Sequence, residues 1–483
     1  MDARRASLAV PLVLDLDGTV VRSNLLVETA LVFLRKNPLK AIMLLFWLMQ
    51  GRAVLKQKLA ASALLEVDTL PFNQHLLEHA EAEAKRGRIV FIATAADKVI
   101  ADMVAARIPF AAGVIASDGR INLKGAAKAQ ALSDRFPDGF EYAGDAKADL
   151  AVWRVASSAI VVEAPASLAK AASQVTSVTR VFPRKSRMKA FLKSLRPHQW
   201  AKNALVFVPL ILSARLTQHE PLLATVIAFV AMNLVASATY IINDLFDLAD
   251  DRLHWSKSRR PLASGDLPLL TGIGTAMAGL LLGLSLAFVA GPGVAIGVLA
   301  YVAITLAYSF GLKRKPIIDG FTLASLFTLR LGIGILASGA PPSAWLLVFS
   351  MFLFASLSFA KRHTEVAGVI ARGGTDVRGR GYQAVDLPLI LALGVSSGMC
   401  AVFIMVLYII EDAFKQSFYG NPLWLWSFPV VLFLFISRVW FLCQREQMHD
   451  DPVAFAVRDR PSLALGAILI ACFLAAWIGR VSW

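Results

Sequence analysis

The sequence predicts a two-part chain: an N-terminal α/β domain of Rossmann type with a helical cap, then an all-α polytopic membrane domain of about nine transmembrane helices. Three observations predict it. Hydrophobic residues fill 57% of the 483 positions and the mean hydropathy is +0.61, both high for a water-soluble enzyme. The apolarity is unevenly placed: residues 1 to about 190 read as a water-soluble domain, and long apolar runs dominate the remainder. Within the first part, short apolar runs end in aspartate, glycine or hydroxyl residues, as buried strands do when they deliver polar groups at their carboxyl ends.

The first such run is Val10-Pro-Leu-Val-Leu14, ending at Asp15-Leu16-Asp17-Gly18-Thr19. A second, Arg88-Ile-Val-Phe-Ile-Ala-Thr94, ends in a hydroxyl. Lys124 and Lys128 precede a helical stretch, and Phe140-Glu-Tyr-Ala-Gly144-Asp145 forms a third strand with Asp149 four residues on. In this order the pieces resemble the haloacid dehalogenase (HAD) superfamily of aspartate-nucleophile phosphatases. The resemblance implies Asp15 as nucleophile, Asp17 as general acid and base, Thr94 as a phosphoryl hydrogen-bond partner and a lysine as its counter-charge. Lys128 fits the family spacing better than Lys124, and the choice stays open. Asp145 and Asp149 would hold Mg²⁺ together with Asp15. A degenerate fold kept for docking is the bland alternative.

Between the first two strands, residues 23–87 read as the helical cap. Its segment Leu39-Lys-Ala-Ile-Met-Leu-Leu-Phe-Trp-Leu-Met-Gln50 is too short to span a bilayer. It is either a buried cap helix or a surface resting in the membrane interface. Arg4 and Arg5 precede an apolar stretch broken by Pro11, Asp15 and Asp17, so no secretory leader is expected. The HAD-like domain is assigned 1–180, a basic linker 181–197 and the membrane domain 198–483.

Nine apolar runs fall near 198–216, 222–246, 269–290, 294–311, 317–338, 343–361, 386–411, 424–444 and 463–480. Lys and Arg concentrate in alternate loops at 252–260, 313–315, 361–380 and 445–460. This predicts a protein of the bacterial inner (cytoplasmic) membrane with the HAD domain and both active sites in the cytoplasm and the C-terminus outside. Much of the net charge of +15 follows from that rule, and no aromatic-interleaved basic patch suggests nucleic acid. Three cysteines, Cys400, Cys443 and Cys472, lie in apolar runs without metal-ligand spacing.

The second run ends in Asn243-Asp244-Leu-Phe-Asp247-Leu-Ala-Asp250-Asp251-Arg252, followed by Lys257 and Arg260. On a continuous helix Asp244, Asp247 and Asp251 share one face, and carboxylates at the mouth of a membrane helix suit Mg²⁺ carrying a diphosphate. A solvated acidic helix end is the plainer alternative. The pattern looks like the first aspartate-rich motif of the UbiA-type prenyltransferase superfamily. The second such motif is replaced by Lys361-Arg362-x-x-Glu365. That element, with Leu195-Arg196-Pro197-x-Gln199-Trp200-x-Lys202-Asn203 and Tyr308-Ser309-x-x-Leu312-Lys313, is similar to the decaprenyl-phosphate phosphoribosyltransferase branch.

The resemblance implies a Mg²⁺-dependent transferase moving 5-phosphoribosyl from phosphoribosyl pyrophosphate (PRPP) to a polyprenyl phosphate, among membrane lipids, as in cell-wall precursor synthesis. Each domain would hold one Mg²⁺. Lys202, Asn243, Lys257, Arg260, Tyr308, Lys313, Arg330, Lys361 and Arg362 would bind substrate, although about half of the cations serve orientation alone on the bland reading. An unpaired Arg330 inside an apolar run is costly and should face a polar cavity or a carboxylate such as Asp319. An isoprenyl-diphosphate prenyltransferase, a membrane-anchored phosphatase and a transporter are the competing classes. Assembly as a homo-oligomer is open.

Overall fold

The computed structural model describes residues 10–478 apart from 38–39, 64, 119–121, 378, 449–451, 453–454 and 456–458. The stretch 1–9 read for a leader thus lies outside the described residues, as do part of the loop at 445–460 and residues 479–483. By its contacts the chain divides into two units, 1–195 with 240–276, and 196–239 with 277–483.

The first unit is built on a six-stranded parallel sheet: β1 (Leu12–Leu14), β2 (Val90–Asp97), β3 (Ala111–Ser117), β4 (Glu141–Gly144), β5 (Ser158–Val162) and β6 (Ser177–Phe182). Their order across the sheet is β3-β2-β1-β4-β5-β6, so β1 lies in the interior between β2 and β4. Strand alternation sends Leu12 and Leu14 into one buried cluster and Val13 into another, with Tyr142 and Trp153. Both faces are covered, which is why β1 reads as an unbroken apolar run.

Helices α1 (Leu25–Lys36), α2 (Ala41–Met49), α3 (Arg52–Ser62) and α4 (Gln74–Lys85) separate β1 from β2. The Asn24 side chain caps α1 by accepting from the Val27 N–H at 3.1 Å. Phe33 and Trp47 pack with ring centroids 5.3 Å apart and, with Leu55 and Leu59, give these helices their own small core. Further on come α5 (Lys98–Ala105), α6 (Ala126–Arg135), α7 (Leu150–Trp153), α8 (Ala166–Val175) and α9 (Arg187–Leu195).

A 3₁₀ run, Pro197–Phe207, continues into α10 (Val208–Leu212). Then follow α11 (His219–Phe246), α12 (Leu248–Leu253), α13 (Leu269–Ala290), α14 (Pro292–Phe310) and α15 (Ile318–Ser338). The chain ends with α16 (Ala344–Ile370), α17 (Leu387–Glu411), α18 (Ser427–Gln444) and α19 (Arg460–Ile478). Among the described residues eight of these helices are long and apolar enough to cross a membrane, so this is an integral membrane protein. The expected ninth run, 198–216, is the exception: it forms the 3₁₀–α10 segment. A 3₁₀ helix rises faster per residue, so that segment, if straight, still reaches about 30 Å.

Within the first unit, segment 240–276 packs by Ile241, Leu245, Leu248 and Leu262 against Leu31 of α1 and Ala190 of α9. In the second unit, α16, α17 and α18 meet around Ser356. Its hydroxyl donates to the Gly394 carbonyl at 2.7 Å and accepts from Trp440 Nε1 at 3.0 Å. A Cβ at Gly394 would fall 2.0 Å from Trp440 Cζ2. Gly394→Ala should therefore lower stability by about 1–3 kcal/mol through overpacking. Thermal unfolding in detergent checks this, and a smaller ring at 440 in a double variant should restore most of the loss.

Candidate active sites

The carboxyl ends of β1 and β4 are adjacent, and that placement builds the first site. Asp15 leaves the end of β1 and Asp145 the end of β4, while Asp149 sits in the turn before α7. One carboxylate oxygen from each of Asp15, Asp145 and Asp149 lies within 4.8 Å of the others. Lys128 Nζ, on α6 and almost fully buried, donates to Asp15 Oδ1 and to the Tyr142 hydroxyl, both at 2.8 Å. Tyr142 in turn donates to Asp149 Oδ1 at 3.1 Å. Lys128, not Lys124, is thus the lysine on Asp15; Lys124 lines the same cavity.

The remaining contacts fix the carboxylates from the backbone. The amides of Asp145 and Ala146 donate to Asp149 Oδ2 at 3.1 and 2.9 Å. Leu25 N–H donates to Asp17 Oδ1 at 2.6 Å, so the first turn of α1 orients Asp17. Gly18, at φ +79°, is required twice over: the conformation favours glycine, and a Cβ would fall 2.4 Å from Asp145 Oδ2. Thr94 is fully buried within β2, not at the strand end, and its hydroxyl accepts from Ala96 N–H at 3.0 Å.

Crowding shows in the protonation equilibria. Burial, then the neighbouring Asp15 and Asp149, push Asp145 up to about 8. Burial first, then Asp15, raises Asp149 to about 6, and burial chiefly raises Asp17 to about 6. Three oxygen donors sharing one point, with Lys128 paired to Asp15, suit a hard divalent cation. Sequence reading missed two groups here. Tyr142 was read only as a strand residue, although a tyrosine three residues before Asp145 on a buried strand was the available signal. Lys56 of α3 donates to the Ala95 carbonyl at 2.5 Å and to Asn122 Oδ1 at 2.9 Å, and lines the cavity; nothing in the sequence marked it.

The aspartate-rich stretch corrects an expectation. Asp244, Asp247 and Asp251 do not share the face of one helix, because α11 ends at Phe246 and Asp247 sits at the N-cap of α12. The side chain of Asn243 donates to Asp247 Oδ2 at 3.1 Å. Asp244 and Asp251, both buried, converge on a single cation: Arg260 Nη1 lies 2.9 Å from Asp244 Oδ1 and 2.5 Å from Asp251 Oδ2. Burial, partly offset by Arg260, raises Asp251 to about 6. The all-oxygen donor set suits Mg²⁺, with Arg260 holding the charge between two of the donors. Lys257, on the following turn, is exposed.

This stretch is tied to helix α1 of the same unit. Arg252, from α12, forks onto Glu28 of α1 at 2.6 and 3.2 Å, and Glu28 also accepts from Ser23 Oγ at 2.5 Å. Arg35 Nη2 meets Asp250 Oδ2 at 2.6 Å.

In the second unit, Arg330 does not meet Asp319. It donates instead to Asn203 Oδ1 (2.8 Å), the Leu326 carbonyl (2.6 Å) and the Tyr301 hydroxyl (3.0 Å), between the Tyr301 and Phe327 rings. Asn203 also donates to Asn233 Oδ1 at 2.8 Å, so the 3₁₀ run is anchored by this network. Asp319, fully buried, accepts from Tyr308 at 2.9 Å and lies 3.2 Å from Arg380 Nη1. Arg362 Nε is 3.2 Å from Asp319 Oδ2, an ion pair whose angle falls short of a hydrogen bond. Arg362 also pairs with Glu365, and its Nη2 is buried without a hydrogen-bond partner. Lys202, Lys313 and Lys361 are half-buried; Lys202 Nζ stands 5.7 Å from the Phe327 ring centre.

The fold thus defines an integral membrane protein whose N-terminal unit carries a Rossmann-type sheet fitting the HAD-like resemblance. Residues 204–459 match the family model described as the UbiA prenyltransferase family, and the chain belongs to that family. The uncharacterized protein y4nM of Sinorhizobium fredii is 36% identical over 97% of this chain and 91% of its own length. The nodulation protein NoeC of Azorhizobium caulinodans is 34% identical over 59% of this chain and 92% of its own. The decaprenyl-phosphate phosphoribosyltransferase of Corynebacterium glutamicum is 37% identical over 38% of this chain and 57% of its own.

Removing one charge from the crowded trio should stabilise the metal-free protein. Asp145→Asn is expected to gain about 1 kcal/mol or more at pH 8. A raised carboxylate costs stability as pH climbs from its unfolded value near 4 through its folded value near 8, so the gain should shrink at pH 5. Chemical denaturation with chelator present, at both pH values, measures it.

Proposed function

We propose that the membrane domain transfers 5-phosphoribosyl from PRPP to a polyprenyl phosphate, releasing pyrophosphate. The observation that carries this reading is the buried Asp244–Arg260–Asp251 cluster at the end of a spanning helix in a chain of the UbiA family. The relatives named decaprenyl-phosphate phosphoribosyltransferase support the choice of donor over an isoprenyl diphosphate, as does Arg362 where a second acidic motif was expected.

Asp244, Asp247 and Asp251 are the residues that would hold Mg²⁺, which when bound neutralises charge on the diphosphate leaving group. Arg260 would turn from the carboxylates to the diphosphate as it enters. Lys257, exposed beside it, would take a further phosphate oxygen. As pyrophosphate departs, the ribosyl carbon becomes oxocarbenium-like and a lipid phosphate oxygen closes the new C–O bond. No protein nucleophile is needed. Lys202, Lys313 and Lys361 would bind the 5-phosphate and the acceptor phosphate, with Arg330 and Arg362 holding their surroundings in place.

The N-terminal unit would act as a phosphatase on the lipid-linked product. Asp15 attacks phosphorus, the ester P–O bond breaks, and the leaving oxygen takes a proton from Asp17. Water, giving its proton to Asp17, then attacks the aspartyl phosphate, returning Asp15 as carboxylate and releasing phosphate. Asp15, Asp145 and Asp149 would hold the Mg²⁺ that screens the phosphoryl charge. Burial that keeps Asp17 protonated to about pH 6 suits a proton donor. Both active sites would face the cytoplasm of a bacterial inner membrane.

Purified protein in lipid discs, given Mg²⁺, PRPP and a polyprenyl phosphate, should release pyrophosphate and form a phosphoribosyl lipid. Asp244→Ala should lower the rate at least about a hundredfold. Asp15→Asn should leave that rate intact while the lipid keeps its 5-phosphate. Consumption of an isoprenyl diphosphate in place of PRPP would sink the donor assignment. An identical lipid from wild type and Asp15→Asn would sink the coupled role of the phosphatase.

A further inference from the structure

The cavity around Asp15 has a volume of about 620 Å³ and two unlike walls. One is the polar end already described. The other is apolar and has two sources: Leu48, Leu55 and Leu59 of the cap helices, and Pro268, Leu269 and Leu270. Leu269 and Leu270 are the first residues of α13, a helix long and apolar enough to cross a membrane. A spanning helix begins at the boundary between water and hydrocarbon. A cavity that uses those first residues as wall therefore lies at that boundary.

This wall is built into the phosphatase loop. Arg22, five residues after Asp17, lies 2.7 Å from Glu163 and 3.4 Å from Asp266. Gly265, at φ +75°, lets the loop leading into α13 approach so closely that a Cβ would fall 2.5 Å from the Arg22 carbonyl. Arg184, Lys185 and Arg187 add positive charge to the cavity lining.

The cap helix α2 gives a second, independent sign. Trp47 faces inward, but Ile42, Leu45, Phe46 and Met49 are 74%, 63%, 61% and 86% exposed. Four large apolar side chains on one nine-residue helix form a patch that water does not tolerate without a partner. Exposed Lys36 and Lys40 flank it, the charge that suits an anionic leaflet. The same unit contains the start of α13, so the partner within reach of this patch is the bilayer.

We propose that this cavity takes a lipid phosphomonoester directly from the membrane. The phosphate meets Asp15 and Lys128, the chain runs along Leu48, Leu55, Leu59 and Leu270, and α2 lies in the lipid interface. The inference rests on the phosphatase reading of Asp15 and deepens it by assigning the wall that recognises the lipid chain and the membrane as the side from which it enters. It also gives the cap a role other than selecting a soluble headgroup: the apolar wall discriminates by chain, and the polar end by phosphate.

The test is phosphate release by the full-length protein in lipid discs, from butyl, octyl and dodecyl phosphate and from soluble p-nitrophenyl phosphate. kcat/KM should rise at least about tenfold from butyl to dodecyl phosphate, and Asp15→Asn should abolish release from all four. Leu48→Ser with Leu270→Ser should flatten the dependence on chain length. Both side chains are about half exposed or more, so the double variant should fold. Release that needs Asp15 but ignores chain length overturns the lipid assignment and leaves the phosphatase reading standing. A full chain-length gain in the double variant overturns the assigned wall. No Asp15-dependent release from any ester overturns the phosphatase reading and this inference with it.

Discussion

A carboxylate removed from water needs a cation, and the buried acids of this chain are organised by that requirement. Lys128 serves Asp15, Arg260 serves both Asp244 and Asp251, Arg252 serves Glu28, and Arg362 with Arg380 serve Asp319. The pairings differ in what they leave over. Glu28 and Arg252 match fork to fork and are buried on both sides, so the pair is spent on structure. Asp15, Asp145 and Asp149 share one lysine, which leaves a surplus of negative charge at one point. That surplus is what a divalent cation would neutralise; after burial, which is the first cause, it pushes Asp145 up to about 8.

The same accounting separates structural from available cations in the membrane domain. Arg330 is expected to face a polar cavity or a carboxylate, because an unpaired cation in an apolar run is costly. The cost is met inside the protein, by Asn203, Tyr301 and a backbone carbonyl, so Arg330 braces the 3₁₀ run. Arg362 is similarly committed to Asp319 and Glu365, with one nitrogen left over. Arg260 differs from both. Its guanidinium is about a quarter exposed and bridges two acids, so it can change partners when a diphosphate arrives.

Much of this was legible in the sequence because strand ends and apolar runs leave strong local signals. The β1 and β4 termini, with Asp15 and Asp145 just beyond them, and most of the spanning helices follow from periodicity and run length; the meeting of Asp149 with both was implied by the HAD resemblance. The break at Asp247 did not, because three-and-four spacing is equally compatible with a helix that continues and one that restarts; only backbone geometry separates them. The 198–216 run was legible as apolar but not as 3₁₀, since its conformation depends on Asn203 bonding to residues 30 and 127 positions away. Tyr142 and Lys56 were missed for the same reason: their partners are set by tertiary placement and leave no pattern along the chain.

The Glu28–Arg252 pair has a consequence beyond stability. Glu28 sits on the first turns of α1, whose opening amide at Leu25 holds Asp17, and Arg252 follows directly on Asp251. The Asp17 carboxylate and the aspartate-rich segment are therefore both fixed to α1. Losing either partner would strand a buried charge, at a cost of about 3–5 kcal/mol. A fusion in which the two halves were merely tethered would need no such contact, since a flexible linker already raises effective concentration. The buried ion pair between α1 and α12 instead holds the Asp17 loop and the aspartate-rich segment to one helix within the first unit.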